Sequence, residues 1–173
     1  MRERRGATWH APGARFDDFY ASEYRDVVGL AYVLSGSWWV AEDLAQEAFL
    51  AAHRNWDRIA AYEQPEAWVR RVAANLAVSA FRRRAAEAKA LARVALRQEP
   101  MVTELSEDDA EFWRAVRSLP RRQAQAVSLY YLEDRSIAEV AEILDMAQGT
   151  VKKHLHDGRR SLARRLKSED DAT

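Results

Sequence analysis

The segment that most constrains this chain is a pair of short helices predicted near its C-terminus. Ser136 can cap the first helix, and Glu139, three residues later, completes a capping box. The residues from Asp145 to Ala147 can turn the chain, and a second, basic helix begins at Gln148. Two short helices joined by such a turn form a helix-turn-helix, which places its second helix in the major groove of DNA. The pattern predicts a protein that contacts duplex DNA.

The apolar residues of these two helices can close a small core between them. The first helix carries apolar residues on one face at helical spacing, and Val151 and Leu155 can meet that face from the second helix. Polar and basic side chains of the second helix can then bond to base edges or phosphates. Candidates for DNA contact on this helix are Gln148, Thr150, Lys152, Lys153, His154 and Arg159. A solvated basic face is the alternative interpretation.

Charge is unevenly distributed along the chain, although its net charge is zero. Residues 112–167 contain twelve Lys or Arg and six Asp or Glu, a net charge of +6, whereas residues 85–111 contain three against seven, a net charge of −4. A basic C-terminal block behind an acidic stretch is typical of a nucleic-acid-binding protein. Its binding to a polyanion should weaken as salt is added.

The composition argues against an enzyme. The chain has no cysteine, so it cannot form a disulfide or a thiolate metal site. Two of the four histidines, His154 and His156, lie two residues apart on a helix and therefore point in different directions. The sequence contains no glycine-rich phosphate loop and no paired nucleophile and base. We therefore expect no catalytic residue, no metal and no cofactor.

The pattern along the chain predicts an all-α protein of two small helical domains joined by a flexible linker. The second is expected to be a four-helix domain that contains the helix-turn-helix. No apolar run is long enough to span a membrane and no secretory signal is visible, so we expect a cytoplasmic protein without membrane insertion. The expected segments are a disordered N-terminus at 1–14, a first domain at 15–85, a linker at 86–108, a second domain at 109–167 and a tail at 168–173.

The first domain is predicted to contain three helices. Apolar residues at helical spacing predict helices over 16–34 and about 39–56, followed by a loop over 57–64. Pro65 is expected at the start of the third helix, a position that proline favours. An arginine triplet at 82–84 ends this helix, although the Ala- and Glu-rich residues that follow can extend it.

Four stretches, taken in order, indicate a family. The first two are AEDLAQEAFL at 41–50 and PEAWVRRVAANLA at 65–77. The second domain adds LP and QAVSL within 119–129, then IAEVA and GTVK within 137–152. In this order and spacing, they resemble the small bacterial sigma factors of the extracytoplasmic-function (ECF, group IV) type. In that family they form the polymerase-docking helix, the promoter-melting helix, the start of the second domain and the helix-turn-helix.

The resemblance implies a sigma factor that binds core RNA polymerase through its β and β′ subunits and directs promoter-specific transcription initiation. The first domain would read and open the −10 element of promoter DNA, and the helix-turn-helix would read the −35 element. Such proteins have no active site of their own and are held by an anti-sigma factor. The residues alone also allow a helix-turn-helix regulator that binds DNA without polymerase, and a pure protein-interaction module.

The resemblance also assigns roles to residues of the first domain. Asp43, Gln46 and Glu47 lie at i, i+3 and i+4, so they project from one helix face that can pair with basic residues of the polymerase clamp. A solvated face is the alternative. Opening a duplex requires a pocket that holds an extruded base. The candidates for −10 DNA are Arg58, Tyr62, Trp68, Arg70, Arg71 and Asn75.

The six residues of the second helix are assigned to the −35 element, and two nearby positions depart from the family's pattern. Asp145 stands in the turn where the family often has glycine, and aspartate tolerates the left-handed conformation better than most residues. Asp157 stands where basic residues are common in the family. Its carboxylate is expected to repel phosphate and to shift DNA contact to its basic neighbours.

Overall fold

The computed structural model describes residues 15–91 and 107–170, and every regular element in these two ranges is a helix. The elements are α1 (Phe16–Ser35), α2 (Trp38–Arg54), α3 (Trp56–Ile59), α4 (Pro65–Leu91), α5 (Glu107–Arg117), α6 (Arg121–Tyr131), α7 (Ile137–Leu144) and α8 (Gln148–Asp170). The predicted all-α architecture of two helical domains is confirmed. No helix in the described ranges is long and apolar enough to cross a membrane.

The first domain packs α1, α2 and α4 against one another. Its core is formed by fully buried apolar side chains, of which Phe19, Leu30 and Phe49 are among the largest. An aromatic cluster extends this core, because Phe16 and Trp56 meet edge to face with ring centroids 5.3 Å apart. Aromatic pairs in this geometry stabilise a core beyond the apolar area that they bury.

The second domain packs α8 against α5, α6 and α7. Val151 and Leu155 of α8 are buried, as the helical spacing predicts. Gly158 allows the close approach of α8 to α6, because a Cβ atom added there would lie 3.0 Å from Cγ2 of Val127. A larger residue at this position would push the two helices apart.

Several local predictions are confirmed at the ends of the helices. Ser136 accepts a hydrogen bond from the backbone N–H of Glu139, whose carboxylate accepts one from the N–H of Ser136, so the capping box at α7 is complete. Asp145 adopts the left-handed conformation with a φ of 54° and ends α7. Pro65 begins α4.

The structure differs from the predictions in two helical segments. The loop predicted from residue 57 begins with one helical turn, α3, because Trp56 packs on Phe16 and Phe19 and fixes the chain there. Helix α4 continues past the arginine triplet to Leu91, since Ala, Arg and Glu are strong helix formers. The flexible linker predicted at 86–108 is helical at both ends, because α4 extends to Leu91 and α5 begins at Glu107. The rest of that linker and the predicted disordered N-terminus with Trp9 lie outside the described residues.

The two domains pack directly against each other. Helix α1 contacts α5 and α6, and α4 contacts α6 and α7. Gly36 caps α1 with a φ of 77°, and a Cβ atom there would lie 2.9 Å from Nε of Arg117. Arg117 in turn donates a hydrogen bond of 3.1 Å to the carbonyl oxygen of Val33 in the last turn of α1. The buried apolar side chains of the two domains form one continuous cluster.

Candidate nucleic-acid interface

Helix α8 has an exposed polar face and a buried apolar face. Gln148, Thr150, Lys152 and Lys153, which we call the α8 surface, are all exposed, whereas Val151 between them is fully buried. No acidic residue lies in the first turn of α8. The positive end of the helix dipole and the ammonium of Lys152 therefore act together, which favours contact with phosphate.

Two charged residues on α8 are less available than the sequence indicates. Asp157 accepts a hydrogen bond of 3.0 Å from Nζ of Lys153, one helical turn earlier, and this bond lowers the pKa of the Asp157 carboxyl. The carboxylate is thus paired within α8. The guanidinium of Arg159 lies over the rings of Tyr130 and Tyr131 and donates a hydrogen bond of 2.7 Å to Oη of Tyr131. Arg159 is exposed, and its guanidinium is oriented by α6.

His154 is half-buried on α8. Burial lowers the pKa of its imidazole below the ordinary 6.5; Asp157 opposes this shift, and Arg122 and Lys153 add to it. The side chain is therefore mainly neutral near pH 7. A neutral imidazole can bond to a base edge, but it does not neutralise a phosphate.

Arg70 on α4 is the most deeply buried charged side chain of the described residues, at 1% exposure. Its Nη1 lies 2.7 Å from the carboxylate of Glu23 on α1, and its Nε lies 2.6 Å from the carboxylate of Glu133 in the second domain. Burial alone lowers the pKa of Arg70, but the two carboxylates raise it above its ordinary value. The guanidinium is therefore fixed as a cation shared between the two domains.

Arg71, the next residue on α4, binds the C-terminal end of α7. Its Nε donates a hydrogen bond of 2.7 Å to the carbonyl oxygen of Ile143, and its Nη2 one of 2.8 Å to that of Glu142. Its Nη1 lies 3.4 Å from the carboxylate of Asp145. The last carbonyls of a helix carry partial negative charge, so Arg71 caps α7 from the other domain.

Asn75, one turn further along α4, also bonds to the second domain. Its Oδ1 accepts a hydrogen bond of 2.6 Å from Nη2 of Arg121 and one of 2.9 Å from Nε2 of Gln125. Arg70, Arg71 and Asn75, which we call the α4 cluster, therefore all bond to the second domain.

A cavity of about 320 Å³ lies beside the α4 cluster. Tyr62, Trp68 and Arg71, three of the six predicted −10 residues, line it together. Glu142 of the second domain also lines this cavity, where its carboxylate accepts a hydrogen bond from Nε2 of Gln64. Arg58 is not part of this group and lines a separate surface hollow near α3.

Comparison with known proteins identifies the family. Family models for sigma-70 region 2 and for sigma-70, region 4 match residues 19–87 and 109–162. The ECF RNA polymerase sigma factor SigW of Bacillus subtilis is 28% identical over 159 residues, which cover 83% of this chain and 85% of SigW. SigM of Mycobacterium tuberculosis is 31% identical over 163 residues, which cover 91% of this chain and 81% of SigM. This chain belongs to the ECF sigma factors.

As an ECF sigma factor, the protein directs promoter-specific transcription initiation. A solved structure with a similar fold contains the sigma factor RpoE in complex with the anti-sigma factor NepR from Bartonella quintana. That RpoE chain is 25% identical, the match covers 88% of this chain and 96% of RpoE, and the TM-score is 0.66.

Helix α2 of this sigma factor carries an acidic face with apolar flanks. Asp43, Gln46 and Glu47, which we call the α2 face, are exposed. Trp39 and Leu50 lie on the same side of α2 at helical spacing and are 77% and 55% exposed. Neither residue was predicted as a site residue. Their spacing from Asp43 and Glu47 is a signal in the sequence, because a core residue does not share a face with an acidic cluster.

Proposed function

We propose that this protein, as a group IV sigma factor, reads the −35 element with α8 and opens the −10 element with α4 and the loop before it. The observation that carries the proposal is the division of α8 into a buried apolar side and an open basic N-terminal surface. This division is what a recognition helix needs, because one side must hold the domain together while the other enters the major groove. Gln148, Thr150, Lys152, Lys153, His154 and Arg159 remain our candidates for −35 contact.

The cavity beside the α4 cluster supports the assignment of the −10 residues. Tyr62 and Trp68 supply aromatic planes and Arg71 supplies a guanidinium plane, and such groups hold an unstacked base. Arg70 and Asn75 can contact the adjacent backbone or a base edge once they are released from the second domain. Arg58, which is exposed on α3, can contact a phosphate further along the strand.

The α2 face supports docking on the β and β′ subunits of core RNA polymerase. Two carboxylates and an amide can pair with basic residues, and the exposed Trp39 and Leu50 can bury apolar area at the same contact. Large aromatic residues surrounded by polar groups are typical of the residues that dominate binding energy at protein interfaces.

The remaining features of the proposal follow from the family. Residues 15–85 and 109–167 are assigned to the two promoter-reading domains, which are joined by the linker at 86–108. The protein has no catalytic activity of its own, acts in the cytoplasm with promoter DNA, and has an anti-sigma factor as a partner. The likeness to RpoE, whose structure contains the anti-sigma factor NepR, supports the last point.

Run-off transcription tests the proposal. Purified protein is mixed with core RNA polymerase that lacks its own sigma factor, together with a library of genomic promoter fragments. We expect discrete transcripts that require the protein. A helix-turn-helix regulator would instead retard DNA without polymerase and yield no transcript, and a protein-interaction module would do neither, so either result would overturn the proposal.

A further inference from the structure

The second domain presents negatively charged and carbonyl oxygen atoms to the same side chains that we assign to −10 DNA. The carboxylate of Glu133 binds Arg70, the carbonyls of Glu142 and Ile143 bind Arg71, and the carboxylate of Asp145 faces Arg71. Phosphate and base edges offer DNA-binding proteins the same kinds of acceptor. Resting on the proposed function, we propose that the second domain occupies the −10 site as an internal substitute for promoter DNA, which keeps the free protein closed.

Arg70 shows why the two states exclude each other. Its guanidinium is held between Glu23 and Glu133 at 1% exposure, so no phosphate can reach it while Glu133 is in place. Glu133 itself is 6% exposed and is fixed by a second arginine, Arg135, at 3.1 Å. Binding of DNA at Arg70 therefore requires the second domain to move away.

The contact at Glu133 is connected to the helix-turn-helix. Arg135 bridges Glu133 and Glu139, and Glu139 completes the capping box of α7. A hydrogen-bonded chain therefore runs from Arg70 to the start of α7. The C-terminal end of the same helix, with Glu142 and Asp145, lies against Arg71 and the cavity.

Two polar atoms at this interface have no hydrogen-bond partner among the described residues in the closed state. They are Oε1 of Glu133 and Nε of Arg121, and both are buried. A buried polar atom without a partner costs free energy that it regains when water reaches it. Opening would let water reach both atoms, which favours separation of the two domains when a partner engages one of them.

Distance measurement in solution tests the closed state directly. The chain has no cysteine, so fluorescent dyes can be attached at Ala21→Cys on α1 and Ala163→Cys on α8, both of which are exposed positions. We expect the free protein to show mainly one short distance, and addition of core RNA polymerase to replace it with a longer one. A free protein that is already extended would overturn the proposal.

Glu133→Gln is the decisive variant, because it removes one of the two charges that hold Arg70 while Glu23 remains. We expect the ratio of open to closed molecules to rise roughly tenfold, as a charge-assisted hydrogen bond is lost.

Asp145→Asn keeps a residue that tolerates the left-handed turn and removes an exposed charge near Arg71, so we expect a smaller increase of about twofold. Asp17→Asn is the matched control, because it removes a charge from the exposed pair of Arg15 and Asp17 at the start of α1 and should leave the distance unchanged.

A second measurement separates this proposal from the proposed function. If only open molecules bind core polymerase, the apparent Kd of Glu133→Gln should fall by the same factor by which its open fraction rises. Failure of every variant to bind core would overturn the proposed function, while the distances would still decide whether the free protein is closed. The substitute role of the second domain would be overturned if both Glu133→Gln and Asp145→Asn showed the same short distance as the wild type. That conclusion would hold whatever the polymerase result.

Discussion

The α4 cluster and the α8 surface are both assigned to promoter DNA, yet the fold treats them in opposite ways. Arg70, Arg71 and Asn75 of the α4 cluster are bonded to the other domain, and Arg70 is almost completely buried. Gln148, Thr150 and Lys152 of the α8 surface are exposed to solvent. One site is covered by its own chain and the other is open.

The difference shows that a basic residue can have two roles in one protein. In the α4 cluster, positive charge stabilises the contact between domains, and the same charge is therefore unavailable to DNA in the closed state. On the α8 surface, positive charge contributes little to the fold, so its substitution should affect binding alone. Substitutions of equivalent type in the two places should consequently affect stability in the α4 cluster and DNA binding on the α8 surface.

Arg70→Ala should have the largest effect on stability. It removes the cation that Glu23 and Glu133 share and leaves Glu133 with Arg135 alone, and breaking a buried ion pair in this way costs about 3–5 kcal/mol. Chemical denaturation of the variant and the wild type measures the loss. Arg160→Ala on the exposed side of α8 is the control and should cost less than about 0.5 kcal/mol. Equal stability of the two variants would remove the contrast between the covered and the open site.

Glu47→Lys should weaken binding of core RNA polymerase by roughly tenfold. It reverses a charge on the α2 face, which is as open as the α8 surface but is assigned to a different partner. Titration of labelled protein with core polymerase measures the change. Glu87→Lys, at an exposed position near the end of α4, has the same charge change and should bind core as the wild type does. Equal weakening by both substitutions would show a general charge effect rather than docking by α2.

Local sequence signals predict much of the structure around the α8 surface. They predict little of the contacts that cover the α4 cluster. The capping box, the left-handed Asp145 and the buried Val151 each depend on residues a few positions apart, so the helix-turn-helix was predicted correctly. The pairing of Arg70 with Glu133 joins residues 63 positions apart, and no local pattern encodes it. Helix α3 was missed for the same reason, because packing of Trp56 on α1 determines it.

Lys152→Ala should reduce binding of −35 DNA without changing stability or polymerase binding. Each lysine that neutralises a phosphate contributes about 0.9 to the slope of log K against log salt concentration, so the slope should become shallower by about that amount. Affinity for a duplex with the −35 element, measured at several salt concentrations, gives the slope. Lys89→Ala, on the exposed end of α4, is the matched control and should leave the slope unchanged. An equal change in both variants would mean that Lys152 acts only through net charge.

His154→Gln should have the smallest effect, and its size should depend on pH. Since burial, Arg122 and Lys153 lower the pKa of His154 against the opposing effect of Asp157, the imidazole is mainly neutral near pH 7.5, and wild type and variant should have the same salt slope there. As pH falls through this lowered pKa, the wild type should gain a charge on α8 and a steeper slope than the variant. The stability of the folded wild type should fall over the same pH range in which its charge on α8 rises. The unfolded chain takes up the proton at a higher pH than the folded one, so the wild type should lose stability below about pH 6.5 relative to the variant. A slope difference already present at pH 7.5 would show that His154 is charged in the folded domain and contributes to the α8 surface as a cation.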